Sequence, residues 1–198
     1  MLVLRKVAIT GGLAAGKTSV CRILESCDAY VVSADDIVHQ LLSPNTKIGQ
    51  QVIELLGSDI SSGKEFDRKK ISERVFLNPE KLHALEKILH PAVFDEIEKR
   101  YNQIKDQTEY SIFVAEIPLL YESKRNTDFY DVIVAVVADE NLCARRFGSI
   151  QEYTQRMKRQ FSQEHKKNQA DFTIVNNGDL EQLKTNVLNL FLKELHPQ

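Results

Sequence analysis

A glycine-containing turn near the start of the sequence has the residue types and the spacing of a phosphate-binding loop. Residues 11–18 read Gly-Gly-Leu-Ala-Ala-Gly-Lys-Thr and match the pattern G-x-x-x-x-G-K-[ST]. Gly11 and Gly16 permit backbone angles that a Cβ would penalise, so successive N–H groups can surround the β- and γ-phosphates of a nucleotide at a helix N-terminus. Lys17 would reach these phosphates, and the Thr18 hydroxyl would ligate Mg²⁺. The alternative is a glycine-rich turn that matches the pattern by chance.

Two acidic positions follow predicted strands and could take part in phosphoryl transfer. Asp35 comes shortly after an apolar run, at the edge where open parallel sheets bind ligands, and is a candidate general base for an acceptor hydroxyl. Asp35 or Asp36 could instead cap the next helix, and the spacing does not decide between these roles. Glu116 ends a later apolar run, as in the Walker B pattern, in which an acid holds Mg²⁺; a strand-end salt bridge is the alternative.

Two further stretches carry polar groups without a fixed motif. His90, beside Pro91, could transfer a proton, cap a helix turn or contact a substrate, and we favour the substrate contact. Residues 145–169 contain seven Lys or Arg against two Glu. Such a run is either a solvated helix face or a lid with phosphate-clamping arginines, and its place between the last two predicted strands favours the lid.

Five short apolar, β-branched runs indicate strands, and helical patterns separate them. Because these runs are continuous rather than alternating, they are typical of parallel strands covered on both faces. The sequence therefore predicts an α/β fold with a five-stranded parallel sheet. The predicted strands comprise residues 7–10, 30–32, 112–115, 132–137 and 172–175.

The segment between the second and third predicted strands is about eighty residues long, far more than one crossover helix requires. We interpret it as an inserted helical subdomain, because its apolar residues recur at helical spacing. Asn78 and Pro79 are typical of an N-cap followed by proline at the first helical position. Pro91 is expected to interrupt one long helix after His90, and turns are expected at 57–58 and 61–63.

The composition limits the classes of protein to which this chain can belong. A net charge of −2 gives no reason to expect a nucleic-acid binder held by overall charge. The three cysteines lack paired spacing, which argues against a disulfide framework or a zinc site and favours a reducing, cytoplasmic location. The sequence has neither a signal-peptide pattern nor an apolar run of 18 residues, so secretion and membrane spanning are not expected.

Taken together, these residues resemble one known family, the dephospho-coenzyme A kinases, which are P-loop kinases. The likeness covers nearly the whole sequence, and its specificity comes from the order and spacing of several modest motifs. They are Thr10-Gly11-Gly12 with Gly16-Lys17-Thr18, Ala34-Asp35, Leu89-His90-Pro91, Ile117-Pro118-Leu119-Leu120-Tyr121-Glu122, Arg145, Ala170-Asp171 and Asn176-Asn177-Gly178.

The resemblance implies transfer of the γ-phosphoryl group of ATP to the ribose 3′-hydroxyl of dephospho-coenzyme A, with Mg²⁺. Asp35 would activate that hydroxyl, Lys17 would bind phosphate, and Arg145 would be a lid arginine that stabilises charge on the transferring group. Nucleotide binding is implied for Gly11, Gly12, Ala14, Ala15, Gly16, Lys17, Thr18, Ser19, Asn176, Asn177 and Gly178, the last three near the adenine. Acceptor binding is implied for Asp35, His90, Leu119 and Glu122, and metal binding for Thr18 and Glu116.

The resemblance also divides the sequence into three parts. Residues 1–32, 108–140 and 170–198 would form the P-loop nucleotide-binding core, residues 33–107 the helical acceptor-binding insertion, and residues 141–169 a small helical lid. The expected partner is a small-molecule substrate, dephospho-coenzyme A. No nucleic acid or membrane is expected, and the chain is expected to be a monomer or a weak homo-oligomer.

Several positions depart from the pattern of this family. Ala14 stands at a phosphate-loop site that is usually glycine, Ser33 where a further Asp is frequent, and His39 where Arg is common. A second lid arginine would fall near 148–149, which read Gly-Ser, so Arg146, Arg156 or Arg159 would have to compensate.

Two other functions compete with this interpretation. A nucleoside or nucleotide monophosphate kinase shares the P-loop, the inserted acceptor domain and the lid, but the long helical insertion, His90-Pro91 and the Ile117-Pro118-Leu119-Leu120 stretch favour dephospho-coenzyme A as acceptor. A GTP-dependent switch is disfavoured, because no N-K-x-D guanine-reading element follows the fourth predicted strand.

Overall fold

The computed structural model describes residues 4–63, 65–76, 78–123 and 127–195. The chain divides into two compact units, one formed by Met1–Ser33 with Gln103–Gln198 and the other by Ala34–Asn102. The second unit corresponds to the helical insertion that the sequence predicted at residues 33–107. Its assignment to acceptor binding stays a prediction.

The elements alternate between strands and helices along most of the chain. In order they are β1 (Arg5–Gly11), α1 (Lys17–Glu25), β2 (Ala29–Ser33), α2 (Ala34–Leu41), α3 (Lys47–Leu56), a 3₁₀ helix (Ser58–Ile60), β3 (Ser61–Ser62), β4 (Glu65–Phe66), α4 (Arg68–Phe76), α5 (Pro79–Ile104), β5 (Ile112–Glu116), β6 (Val132–Val137), α6 (Glu140–Phe147), α7 (Ile150–Met157), α8 (Gln163–Gln169), β7 (Phe172–Val175), α9 (Leu180–Leu190) and a π-helix (Phe191–Leu195).

The larger unit contains a five-stranded parallel sheet, which confirms the predicted α/β class. The strand order is β2-β5-β1-β6-β7. The pairing places Glu116 opposite both Ile9 and Ser33, and Gly11 opposite Val136. Because all the strands of this sheet run in the same direction, their carboxyl ends and the segments that follow them share one edge.

The sheet forms because its strands can bury side chains on both faces. Ile9 and Val114 are fully buried on one face and Ala8 and Phe113 on the other, as the continuous apolar runs predict. On one side α1 and α9 pack against each other, which explains the apolar positions of both helices.

The smaller unit has its own apolar core and a short hairpin that the sequence did not predict. The core side chains come from α3, the 3₁₀ helix, α4 and α5: Val52, Leu56, Ile60, Ile71, Val75, Leu85 and Leu89. Of the turn expected at 61–63, Gly63 does lie in a turn, whereas Ser61 and Ser62 form a strand of an antiparallel pair in which Ser61 lies opposite Phe66. Two-residue strands are too short to show a period-two pattern, so the sequence indicated only a turn.

Helix α5 is continuous through Pro91, so the predicted interruption at His90-Pro91 is wrong. Its start is as predicted, because the Asn78 side chain accepts a hydrogen bond from Lys81 N at 3.0 Å. An internal proline removes one backbone hydrogen bond, whereas the turns on either side bury Leu85, Leu89, Val93 and Ile97. Packing of these turns outweighs the local preference. No helix in the described ranges, this one included, is long and apolar enough to cross a membrane.

Replacing the internal proline should stabilise this helix. We expect Pro91→Ala to raise the free energy of unfolding by about 1–3 kcal/mol, because alanine restores the N–H donor and removes the ring clash with the preceding turn. Pro91→Gly is the matched control. It restores the same donor but should gain about 1 kcal/mol less. Urea denaturation measures both changes, and a Pro91→Ala variant less stable than the parent chain would contradict this account.

Candidate active site

The phosphate loop leaves the sheet at a position where only glycine fits. Gly11 ends β1 with φ of 141°, and a Cβ there would lie 2.0 Å from the carbonyl oxygen of Val136 on the neighbouring strand. Gly16 has φ of 102° and precedes the first residue of α1. The strand, turn and helix of the predicted motif are therefore present, with the backbone angles that its two defining glycines allow.

Ala14 adopts the left-handed backbone conformation, with φ of 56°. This is the loop position at which the sequence carries alanine where the resembling family usually has glycine. A Cβ in this conformation costs roughly 1–2 kcal/mol per residue. The departure seen in the sequence therefore corresponds to a strained residue inside the loop.

Lys17 lies over the loop to which it belongs. Its side chain is buried, and Nζ donates to Gly12 O at 2.8 Å and to Gly11 O at 3.4 Å. The ammonium group is thus held against the first two carbonyls of a loop whose backbone N–H groups a phosphate would approach.

Thr18 and Glu116, the two predicted metal ligands, are in direct contact. The Thr18 hydroxyl donates to Glu116 Oε1 at 3.0 Å, and Glu116 is only 9% exposed at the end of β5. A hydroxyl and a carboxylate side by side are hard oxygen donors of the kind that Mg²⁺ binds together with substrate phosphates. These two residues fit a magnesium site.

Asn176 and Asn177 follow β7 and have different partners. The buried Asn176 side chain donates from Nδ2 to Ala15 O at 2.8 Å, so it holds the phosphate loop from one side. The same nitrogen would lie 2.2 Å from a Cβ on Gly16, which is a second reason for glycine there. Asn177 is exposed, and its Oδ1 accepts from Asp139 N at 2.7 Å.

A cavity of about 190 Å³ adjoins the end of the phosphate loop and the predicted adenine segment. Four of the predicted nucleotide-binding residues line it: Gly16, Ser19, Asn176 and Gly178. Its lining consists of Gly16, Ser19, Arg146, Asn176, Gly178, Asp179, Leu180 and Leu183. Apolar side chains and backbone beside a phosphate-binding loop are suited to a nucleoside.

Arg146, rather than its neighbour Arg145, reaches this cavity. Both lie in the last turn of α6, and the Arg146 guanidinium donates from Nη1 to Asn176 O at 3.0 Å. Arg145 is exposed. Adjacent residues on a helix point in directions about 100° apart, so the sequence could identify an arginine pair but not which member faces the cavity.

Two residues of α8 that sequence reasoning missed contact the phosphate loop. Gln163 exchanges hydrogen bonds with Ala138, both at 2.9 Å, and its side chain lies where a Cβ on Gly12 would be. Lys166 is fully buried and donates to Pro118 O at 2.7 Å. The only sequence signal was the basic run of residues 145–169, which does not separate Lys166 from the exposed Lys167.

Glu122, a predicted acceptor-binding residue, has two partners within the chain. Its Oε1 accepts from Lys166 Nζ at 2.9 Å and from Phe161 N at 2.8 Å. Burial lowers the pKa of the Lys166 ammonium below its ordinary value, while the hydrogen bond and charge of Glu122 act in the opposite direction. Leu119, the neighbouring predicted contact, is half-buried, and its carbonyl accepts from Ser123 N at 3.2 Å.

Asp35 and His90 belong to the smaller unit. Asp35 is exposed in the first turn of α2, two residues after Ser33. Because α2 begins at Ala34, neither Asp35 nor Asp36 occupies its N-cap position. His90 lies inside α5, so the alternative of a helix cap is wrong. Burial lowers the pKa of His90 below its ordinary value, although Glu86 acts in the opposite direction.

The family model and the curated relatives identify one family. A family model described as dephospho-CoA kinase matches residues 5–182. The dephospho-CoA kinase of Protochlamydia amoebophila is 47% identical over 197 residues, which cover 96% of this chain and 97% of that protein. Among solved structures, a Thermus thermophilus protein matches with a TM-score of 0.82 and 26% identity, over 99% of this chain and 100% of its own. Dephospho-CoA kinase from Campylobacter jejuni matches with a TM-score of 0.70 and 25% identity, over 95% of this chain and 96% of its own.

The strain at Ala14 gives a prediction with an internal control. We expect Ala14→Gly to raise the free energy of unfolding by up to about 1 kcal/mol, because relief of the left-handed strain exceeds the added flexibility of the unfolded chain. Ala15→Gly, at a fully buried position without positive φ, should instead lower it by about 1 kcal/mol. Urea denaturation measures both. Equal destabilisation by the two variants would show that Ala14 is not strained.

Proposed function

This chain belongs to the dephospho-CoA kinase family, and we propose that it transfers the γ-phosphoryl group of ATP to the 3′-hydroxyl of dephospho-coenzyme A. The products are coenzyme A and ADP. The observation that carries this proposal is the family match over residues 5–182. The loop from Gly11 to Thr18, with Glu116 beside it, supplies a phosphate-binding geometry consistent with that reaction.

The donor phosphates would bind at the loop. Lys17 Nζ, which donates to Gly11 O and Gly12 O, would exchange these carbonyls for oxygens of the β- and γ-phosphates. Thr18 and Glu116 would hold Mg²⁺, which when bound supplies positive charge against the triphosphate. The nucleoside would occupy the cavity lined by Arg146, Asn176 and Gly178.

The roles proposed for residues at the acceptor rest on the family resemblance and on the chemistry of phosphoryl transfer. Asp35 would accept the proton of the 3′-hydroxyl as the oxygen attacks the γ-phosphorus, and ADP would leave in line with the attack. His90, Leu119 and Glu122 would lie in the acceptor site. Arg145 would stabilise charge on the transferring phosphoryl group. We further propose that the chain is cytoplasmic and is a monomer or a weak homo-oligomer.

Acceptor profiling tests the function directly. The chain is incubated with ATP and Mg²⁺, and ADP release is measured in parallel with dephospho-coenzyme A, AMP, CMP and dTMP. We expect ADP release to depend on dephospho-coenzyme A, with the new phosphate on the 3′-oxygen of the product. Preference for a nucleoside monophosphate would replace the proposal by the rival kinase class.

Asp35 can be tested against its neighbour in the same helical turn. We expect Asp35→Asn to lower kcat at least about a hundredfold, because an amide cannot accept the hydroxyl proton, while the Kd for ATP changes less than about twofold. Asp36→Asn is the control. It removes the same charge from the first turn of α2 and should retain most of the turnover. Equal losses in both variants would mean that helix-end charge, not general-base chemistry, explains the effect.

A further inference from the structure

Lys166 is a buried cation that the proposed mechanism does not use. It lies on α8, and its side chain is fully buried. Nζ donates to Pro118 O at 2.7 Å and to Gly11 O at 3.4 Å, and it pairs with Glu122 Oε1 at 2.9 Å. An ammonium group has three N–H donors, so each of these three oxygens can receive one.

Stability alone does not account for a charge at this position. Taking an ammonium and a carboxylate out of water costs several kcal/mol per ion, and apolar side chains of similar size are often at least as stable. The pair is also incompletely satisfied, because Glu122 Oε2 is buried without a hydrogen-bond partner among the described residues. Apolar side chains at both positions would avoid these costs, whereas replacing Lys166 alone would leave Glu122 buried without its counter-ion.

The charge of Lys166 is explained better by a hydrogen-bond acceptor that Lys166 shares with Lys17. Both ammonium groups lie 3.4 Å from Gly11 O, the carbonyl at which the phosphate loop leaves β1. When Lys17 turns to a phosphate, Gly11 O loses that donor but keeps Lys166. Gln163, one turn earlier on α8, lies against Gly12. The helix therefore supports the first two glycines of the loop.

We propose that Lys166 is a positioning residue for the bound nucleotide. With Glu122 as its counter-ion, it fixes the Gly11 carbonyl and so sets the start of the loop from which Lys17 reaches the β- and γ-phosphates. The role in turnover rests on the proposed function. The role in phosphate binding does not, because it can be measured without any acceptor.

The test compares ligands that differ only in their phosphates. Lys166→Met removes the charge and keeps the side-chain length. We expect its Kd for ATP to rise about tenfold or more, as for loss of a charge-assisted contact, while its Kd for adenosine changes less than about twofold. Lys167→Met is the matched control, since Lys167 is the next residue on α8 and is exposed. It should leave both constants unchanged.

Thermal unfolding separates positioning from a purely structural role. All binding is measured well below the unfolding midpoint of each variant. A lower midpoint for Lys166→Met with the parent's ratio of ATP to adenosine affinity would overturn the proposal. Should Lys166→Met fail to fold, Glu122→Gln removes the counter-ion while keeping its shape, and the same selective loss of ATP affinity is expected. An unchanged ratio in Glu122→Gln would then overturn it.

Failure of this inference is distinguishable from failure of the proposed function. If the parent chain binds ATP but does not phosphorylate dephospho-coenzyme A, the proposed function fails while the affinity ratio still tests Lys166. If the parent is an active kinase and Lys166→Met keeps its ATP affinity, only the role of Lys166 is excluded.

Discussion

The close approach of β1 and β6 at Gly11 is the constraint on which the site depends. The two strands pair in register up to Gly11 and Val136, and a Cβ on Gly11 would collide with the Val136 backbone. Gly12 N then donates to Val136 O at 3.1 Å, so the sheet pairing continues into the loop. The direction in which the loop leaves the sheet is therefore set by backbone contacts, and every phosphate-binding group follows from that direction.

Segments distant in the sequence hold the two ends of the loop. Asn176, after β7, bonds Ala15 O near the C-terminal end of the loop. Lys166, on α8, bonds Gly11 O at its start. A loop rich in small residues has few side chains of its own with which to pack, so its shape must come from partners outside it. The strain at Ala14 persists because these contacts determine the backbone on either side of it.

The sheet and the phosphate loop were predictable because local chemistry dictates them. Continuous apolar runs have few alternatives to buried parallel strands, and Gly11, Gly16, Lys17 and Thr18 occupy fixed positions in one motif. The partners of Lys166 could not be predicted, because a salt bridge between residues 122 and 166 depends on the packing of α8 and leaves no local signal. The continuity of α5 was missed for a related reason.

At Pro91 the local preference against helix is smaller than the stabilisation that tertiary packing gives to α5. The preference of the residue before a proline is a difference of a few kcal/mol at one position, whereas the buried side chains of α5 act along seven turns of helix. The same comparison explains why the N-cap at Asn78 was predicted correctly. There the local hydrogen bond and the tertiary packing favour the same helix start.

The arrangement of charges around the loop suggests how phosphate binding is selective. The ammonium group of Lys17 already donates hydrogen bonds to two carbonyls of its own loop. A ligand must therefore offer better acceptors than two carbonyls to gain from the exchange. An anionic phosphate oxygen adds charge–charge attraction to the ammonium, which a neutral carbonyl lacks, so a phosphate meets this condition and a neutral ligand does not. The binding energy of the loop is a difference between two sets of hydrogen bonds. Any residue that fixes the carbonyls of the first set, as Lys166 does at Gly11, changes that difference without touching the ligand.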